Sequence, residues 1–227
     1  MAKVVLKRLL RWLSWAERIM RAYFATKGVV LTDLDPHWLI ALRSLRAKVQ
    51  IEQADHHAWM LSLLAYQCGK LDGDMADVGV YKGGSTLVIH QAAPHKLIHA
   101  FDSLSGLPEL SEHDDPRHFQ PGDYATKYLW AWIDRDYAMF YPGWFPKTAQ
   151  SLQNTQFCFV HLDMDLYQST KDGLEFFYPR MVKGGVIVIH DYTTTPGITK
   201  AVYEFFQGKP EIIIEPYGKG QAVVVKL

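Results

Sequence analysis

The chain has 227 residues, 48% of them hydrophobic, enough for one two-sided core with an extension. Its 24 basic and 24 acidic residues cancel, which removes the global positive field that a nucleic-acid binder uses. Cys68 and Cys158 stand far apart in apolar segments; they read as buried thiols of a reducing, cytoplasmic compartment, not as a disulfide framework.

Residues 3–27 carry seven basic side chains, Lys3, Lys7, Arg8, Arg11, Arg18, Arg21 and Lys27, against the single acid Glu17. On a 3.6-residue wheel Val5, Leu9, Trp12, Leu13, Ala16, Met20 and Tyr23 share one side, the pattern of an amphipathic helix. The charges interrupt it well short of the roughly 20 apolar residues a membrane span needs, and no signal-peptide cleavage pattern follows. Docking on a partner or on the chain's own domain is one reading, and peripheral membrane contact through a basic interfacial helix is the other. Helical pattern resumes after Asp35-Pro36 and stops at Gly69, so residues 1–70 read as an N-terminal helical extension. The ten histidines match no zinc spacing. Adjacent His56 and His57 make a poor chelate, because sequence neighbours do not share a helix face.

From residue 71 the grammar changes to short apolar runs alternating with helical pattern, the signature of an α/β domain with a mostly parallel sheet. Strands are expected at 75–78, 97–101, 137–141, 157–162 and 186–189, with helices at 85–92, 127–135, 169–179 and 198–206. Residues 211–215 and 221–226, joined by a Pro216-to-Gly220 turn, read as a C-terminal antiparallel hairpin. The polar, proline-bearing stretch 105–126 is long enough for a lid or binding loop.

Two acidic clusters follow directly on apolar runs: His161-Leu-Asp163-Met-Asp165 and His190-Asp191-Tyr192. Carboxylates at the carboxyl ends of strands lie where open α/β sheets keep their chemistry. On neighbouring strands Asp163 and Asp191 stand about 5 Å apart. Two bare carboxylates that close repel, so the pair implies a divalent metal or an acid/base site. His161, inside its strand, reads as a packing residue, and Asp165 as a neighbour of the site or a cap for the next helix.

The first strand runs into Asp77-Val-Gly79-Val-Tyr81-Lys-Gly83-Gly-Ser85-Thr86. The glycines permit close backbone approach, and Ser85 or Thr86 can cap the helix. The spacing fails the dinucleotide fingerprint. Asp77 at the mouth of the loop suits a ligand with positive charge, such as the ammonium and sulfonium of S-adenosylmethionine. Asp102 ends the second strand, where an acid can accept both hydroxyls of a ribose.

These residues, with Phe101-Asp102-Ser103-Leu-Ser-Gly-Leu-Pro108, Gly143-Trp144-Phe145 and the Asp163 cluster, occur in the order found in the macrocin O-methyltransferase family, which the segment from Gly69 to Phe206 resembles. The resemblance implies a Rossmann-like class I methyltransferase sheet and S-adenosylmethionine-dependent, magnesium-dependent methylation of hydroxyls on sugars, often of glycosylated natural products. It implies that Asp77, Gly79, Tyr81, Gly83, Ser85 and Thr86 hold the methionine part and that Asp102, with Ser103, holds the ribose. Asp163 and Asp191 would hold the metal, with His190 beside them, and Asp163 is a candidate base; His113 or His118 of the lid is another, because an imidazole titrates near neutrality. His190 departs from the family, which usually has Asp-Asp-Tyr at this point. An imidazole in place of a carboxylate weakens selectivity for Mg2+ and admits Mn2+ or another transition ion. Trp144 and Phe145 read either as walls of the pocket or as core aromatics. A metal-dependent hydrolase and a non-catalytic cofactor-binding protein are the competing classes, and a homo-oligomer stays open.

Overall fold

A strand buried on both faces needs apolar side chains pointing both ways. The run Phe157-Cys-Phe-Val-His-Leu162, with all six side chains buried, meets that need at the centre of the sheet. The computed structural model describes residues 42, 44, 50–126, 138–216 and 220–227. The basic N-terminal helix, the helix expected at 127–135 and the tip of the terminal turn lie outside them. The described elements are α1 (Asp55–Cys68), β1 (Asp74–Val78), α2 (Gly84–Ala92), β2 (Ile98–Asp102), β3 (Ala138–Pro142), β4 (Phe157–Leu162), α3 (Tyr167–Phe177), β5 (Met181–His190), α4 (Pro196–Phe206), β6 (Ile213–Ile214) and β7 (Gln221–Val225), with 3-10 turns at Lys147–Leu152 and Tyr178–Arg180.

The sheet order is β3-β2-β1-β4-β5-β7-β6. The first five strands pair in parallel, and β7 runs antiparallel to both β5 and β6. The mostly parallel α/β sheet and its terminal hairpin are as expected. β5 is longer than its apolar run because Met181 reaches back to pair with Phe157, and β6 is only two residues long. α3 begins at Tyr167, two residues before Ser169.

Alternation along the strands fills two core layers. Met75, Ile98, Ala100, Phe159, Val186, Val188 and Val223 face one way, towards Ala58, Leu61, Ala65 and Cys68 of α1 and Val88 and Ile89 of α2. Ala76, Val78, Phe101, Val160, Leu162, Ile187 and Ile189 face the other, towards Leu174 and Phe177 of α3 and Ile198 and Val202 of α4. Each buried Val, Leu, Ile, Phe or Met among them contributes about 1.5–3 kcal/mol through removal of apolar surface from water, and Phe159→Ala is expected to cost about 3–5 kcal/mol. The small buried stripe of α1 brings that helix into the sheet's own core, although its sequence position places it in the N-terminal extension. Among the described residues, no helix is long and apolar enough to cross a membrane.

The chain runs outward from β1 through β2 to β3, then returns to the other side of β1 with β4 and β5. The reversal opens a crevice at the carboxyl ends of β1 and β4, where such sheets bind ligands.

Candidate active site

The loop after β1 is welded to the end of β4. Gly79 has φ +84, and a Cβ there would lie 1.8 Å from the backbone oxygen of Asp163, so only glycine fits. The Asp163 amide donates to the Val78 carbonyl at 2.9 Å. Gly83, also at positive φ, is the N-cap of α2. Gly84 allows residues 50–53 to cross the loop, for a Cβ there would lie 2.6 Å from the Gln50 carbonyl oxygen.

Asp77 sits beneath this loop. Strand alternation turns its carboxylate towards α2 and full burial. Ser85 Oγ (2.8 Å) and Thr86 Oγ1 (2.6 Å) donate to one oxygen, and His161 Nδ1 stands 2.8 Å from the other. Asp77 therefore braces the loop from inside, and Thr86 is tied up with it. Val78 to Lys82, Gly84 and Ser85 line the cavity above, whereas Asp77, Gly83 and Thr86 do not.

At the end of β2, the Asp102 carboxylate accepts the Tyr81 amide at 2.8 Å and the Leu104 amide at 2.7 Å. Burial raises its pKa, and the two amides hold it back. Each oxygen keeps a lone pair for a ligand hydroxyl. Ser103 Oγ donates to the Gly106 carbonyl at 2.8 Å and turns the chain into the lid.

Across the crevice, the pairing of Leu162 with Ile189 sets Asp163 opposite His190, with Asp191 one residue beyond. Each of the three offers one ligating atom, and these atoms lie within 4.8 Å of one another. His190 Nδ1 is 3.3 Å from Asp163 Oδ1 and 3.1 Å from Asp191 Oδ2, yet this buried nitrogen makes no aligned hydrogen bond with either. An unaligned imidazole nitrogen between two carboxylates suits a divalent ion, so these donors fit one. Gln53 Nε2 donates to Asp163 Oδ2 at 3.0 Å. Burial raises the pKa of Asp163, but the His190 ring, helped by His161 and Gln53, more than reverses this and holds it near 2. Burial likewise lowers the His190 pKa, and Asp163 and Asp191 outweigh it, leaving it well above the ordinary value. Asp165 is pushed well above the carboxylate range by burial, then by repulsion from Asp163 and Asp191.

A cavity of about 480 Å³ joins these groups, in the size range of small-molecule sites. Five described non-glycine residues have positive φ, and four of them, Tyr81, Tyr124, Asp165 and Asp191, line it. Backbone held in that region costs about 1–3 kcal/mol per residue and gathers at functional sites. Tyr124, half exposed, meets the Tyr81 ring edge-on at the rim. Trp144 and Phe145 both line the cavity, Trp144 as an exposed residue and Phe145 as a half-buried one that stacks on Phe177 of the core.

The lid places His113 elsewhere than expected. Its ring packs against Tyr167 at 4.4 Å and beside Lys200 Nζ at 3.2 Å, away from the cavity lining. Asp114 turns inward instead: Oδ1 accepts the Tyr167 amide at 2.8 Å and so fills the N-terminal capping role for α3 that Asp165 was expected to fill. His118 is on the surface beside Asp115. The sequence reading missed Gln53, Asp114 and Tyr124, which come from segments without a motif.

The family model for Macrocin-O-methyltransferase (TylF) matches residues 64–216. The chain belongs to that family. Among curated relatives, it is 30% identical over 138 residues to the 8-demethyl-8-(2,3-dimethoxy-alpha-L-rhamnosyl)-tetracenomycin-C 4'-O-methyltransferase of Streptomyces olivaceus, an alignment covering 53% of each chain. It is 26% identical over 155 residues to the mycinamicin III 3''-O-methyltransferase of Micromonospora griseorubida, covering 59% of this chain and 60% of that one. The chain thus spans little more than half the length of the curated relatives it matches. The structure of the O-methyltransferase NovP superposes with a TM-score of 0.61 at 21% identity, over 75% of this chain and 79% of that one. The calicheamicin methyltransferase CalS11 does so with a TM-score of 0.64 at 16% identity, over 88% and 95%. At those identities the likeness establishes the class I methyltransferase fold.

Proposed function

We propose that this chain is an S-adenosylmethionine-dependent O-methyltransferase acting on a hydroxyl of a sugar carried by a small molecule, assisted by a divalent cation held by Asp163, His190 and Asp191. The observation that carries the reading is the union of the Gly79 loop with the Asp163 strand end in one cavity. A cofactor on the loop side then faces an acceptor on the carboxylate side of the same cavity. The macrocin O-methyltransferase family and the rhamnosyl-bearing substrate in a relative's name support a sugar acceptor.

On this reading the backbone of Gly79 to Tyr81 takes the methionine portion, and Asp102 accepts the two ribose hydroxyls. Ser85 serves indirectly, by tying α2 to Asp77. Residues 105–126 form the lid, closed over the site by the Asp114 contact. A bound divalent cation would acidify the acceptor hydroxyl. That acidification is needed, because a carboxylate is a weak base for an ordinary alcohol. The hydroxyl oxygen attacks the methyl carbon in line as the carbon–sulfur bond breaks, its proton passes to Asp163, and a neutral thioether leaves. Gln53 fixes the rotamer of Asp163, so the proton acceptor is positioned before the acceptor sugar arrives.

The test is calorimetric titration of S-adenosylhomocysteine into the chain, paired with mass-spectrometric assay of deoxyhexose glycosides for gain of one methyl group. Saturable binding that Asp102→Ala weakens, and mono-methylated product, are expected. No binding of the cofactor product would overturn the reading.

A further inference from the structure

We propose that His57 is a positioning residue that commits His190 to present Nδ1 to Asp163 and Asp191, which makes the centre a mixed nitrogen and oxygen site for a first-row transition ion in preference to Mg2+. The inference rests on the divalent-cation reading above and names the class of ion.

His57 lies in the first turn of α1. Its Nδ1 is 3.2 Å from His190 Nε2, and the two rings meet edge-on at 89° with centroids 5.0 Å apart. A neutral imidazole has one donor and one acceptor nitrogen. For Nδ1 to serve as a ligand, the one proton left on the His190 ring must stand on Nε2, and His57 Nδ1, 3.2 Å away, is placed to accept it. A histidine that ligates a metal through one nitrogen commonly donates its other N–H to an outer acceptor in this way.

The acceptor is itself wedged in place. A Cβ on Gly220 would lie 2.8 Å from His57 Cε1 and 3.1 Å from Nε2, so the ring fills the space that the glycine leaves. The Gly220 amide donates to Thr193 Oγ1 at 2.7 Å, and its carbonyl accepts the Tyr192 amide at 3.1 Å. The segment just after His190 thus holds the residue that seats His57, and the outer contact and the ligand are built as one piece. Mg2+ strongly prefers an octahedron of oxygens, whereas imidazole suits the later divalent ions, with affinity rising from Mn2+ through Fe2+ to Co2+.

The full chain, freed of metal by chelation, is titrated calorimetrically with MgCl2, MnCl2 and CoCl2, and the visible absorption of the Co2+ form is recorded. Co2+ is expected to bind on the order of 100-fold more tightly than Mg2+. His57→Ala should weaken Co2+ about 10–100-fold while leaving Mg2+ within about threefold. His57→Gln, which keeps an acceptor oxygen, should recover most of the loss, and His190→Asp should shift the Co2+ spectrum and narrow the gap between Co2+ and Mg2+. Equal affinity for Mg2+ and Co2+ in the natural chain, or Co2+ binding unchanged in His57→Ala, would overturn the inference while leaving the cation reading standing. Binding of none of the three ions would overturn both.

Discussion

Two aspartate–histidine pairs lie side by side at the carboxyl end of this sheet, and they are built for opposite purposes. Asp77 and His161 sit on neighbouring strands β1 and β4, 2.8 Å apart and wholly buried, with Ser85 and Thr86 also donating to the carboxylate. Asp163 and His190 sit one step further along, on β4 and β5, 3.3 Å apart and partly open to the cavity, without an aligned bond between them. The Asp77 carboxylate, enclosed by three donors, fixes backbone, whereas the Asp163 carboxylate opens on a cavity where a ligand can reach it. The same two residue types make a brace where the carboxylate is enclosed and a candidate centre where it opens on the cavity.

The sharpest way to separate the two pairs is to neutralise each aspartate in turn. Asp163→Asn should lower methyl-transfer kcat/KM on the order of 10³-fold or more while cofactor-product affinity stays within about threefold, read by single-turnover assay and calorimetry. Asp77→Ala should instead cost about 3–5 kcal/mol of folding stability, because it strands a buried imidazole and two hydroxyls, read by denaturant unfolding. A variant of Asp77 that folds normally and loses only activity would erase the contrast. Asp102→Ala should weaken S-adenosylhomocysteine about 10–100-fold, the worth of hydrogen bonds to a charged acceptor, with the affinity for divalent ions unchanged.

The smallest effect belongs to an ion pair far from either aspartate. Glu211 is buried and bonded to Lys226 Nζ at 2.9 Å. Burial raises its pKa, but the Lys226 and Tyr178 hydrogen bonds outweigh that and hold it at about 2, below the ordinary 4.5. A carboxyl depressed by folding contributes stability above its unfolded pKa and loses it as pH falls through the folded one. Glu211→Gln should therefore cost about 1–2 kcal/mol at neutral pH, with the difference from the natural chain closing between pH 4.5 and about 2, as followed by urea unfolding across that range.

The sheet was legible because buried parallel strands leave unbroken apolar runs, and β4 matched its run residue for residue. The cavity-facing acids Asp102, Asp163 and Asp191 were legible for a related reason: each ends such a run. Asp77 was misleading, since position after a strand does not reveal parity. Its alternation with Met75 turns it to the α2 face, and Ser85 and Thr86 in the first turn of α2, with His161 two residues after Phe159, were the available signals. His113 and Asp114 could not be told apart from the chain, because a loop has no period and only tertiary packing decides which side chain turns inward. Gln53 and His57 reach the site from 110 and 133 residues away in sequence, and neither belongs to a local pattern.

Methyl transfer itself is the most direct test of the account. The chain is incubated with S-adenosylmethionine labelled at the methyl carbon, a deoxyhexose glycoside and a divalent ion, beside Asp163→Asn under the same conditions. Label appearing on a sugar oxygen with the natural chain and all but vanishing with the variant is the predicted result. Equal labelling by both, or none by a natural chain that binds cofactor, ion and glycoside, would contradict it.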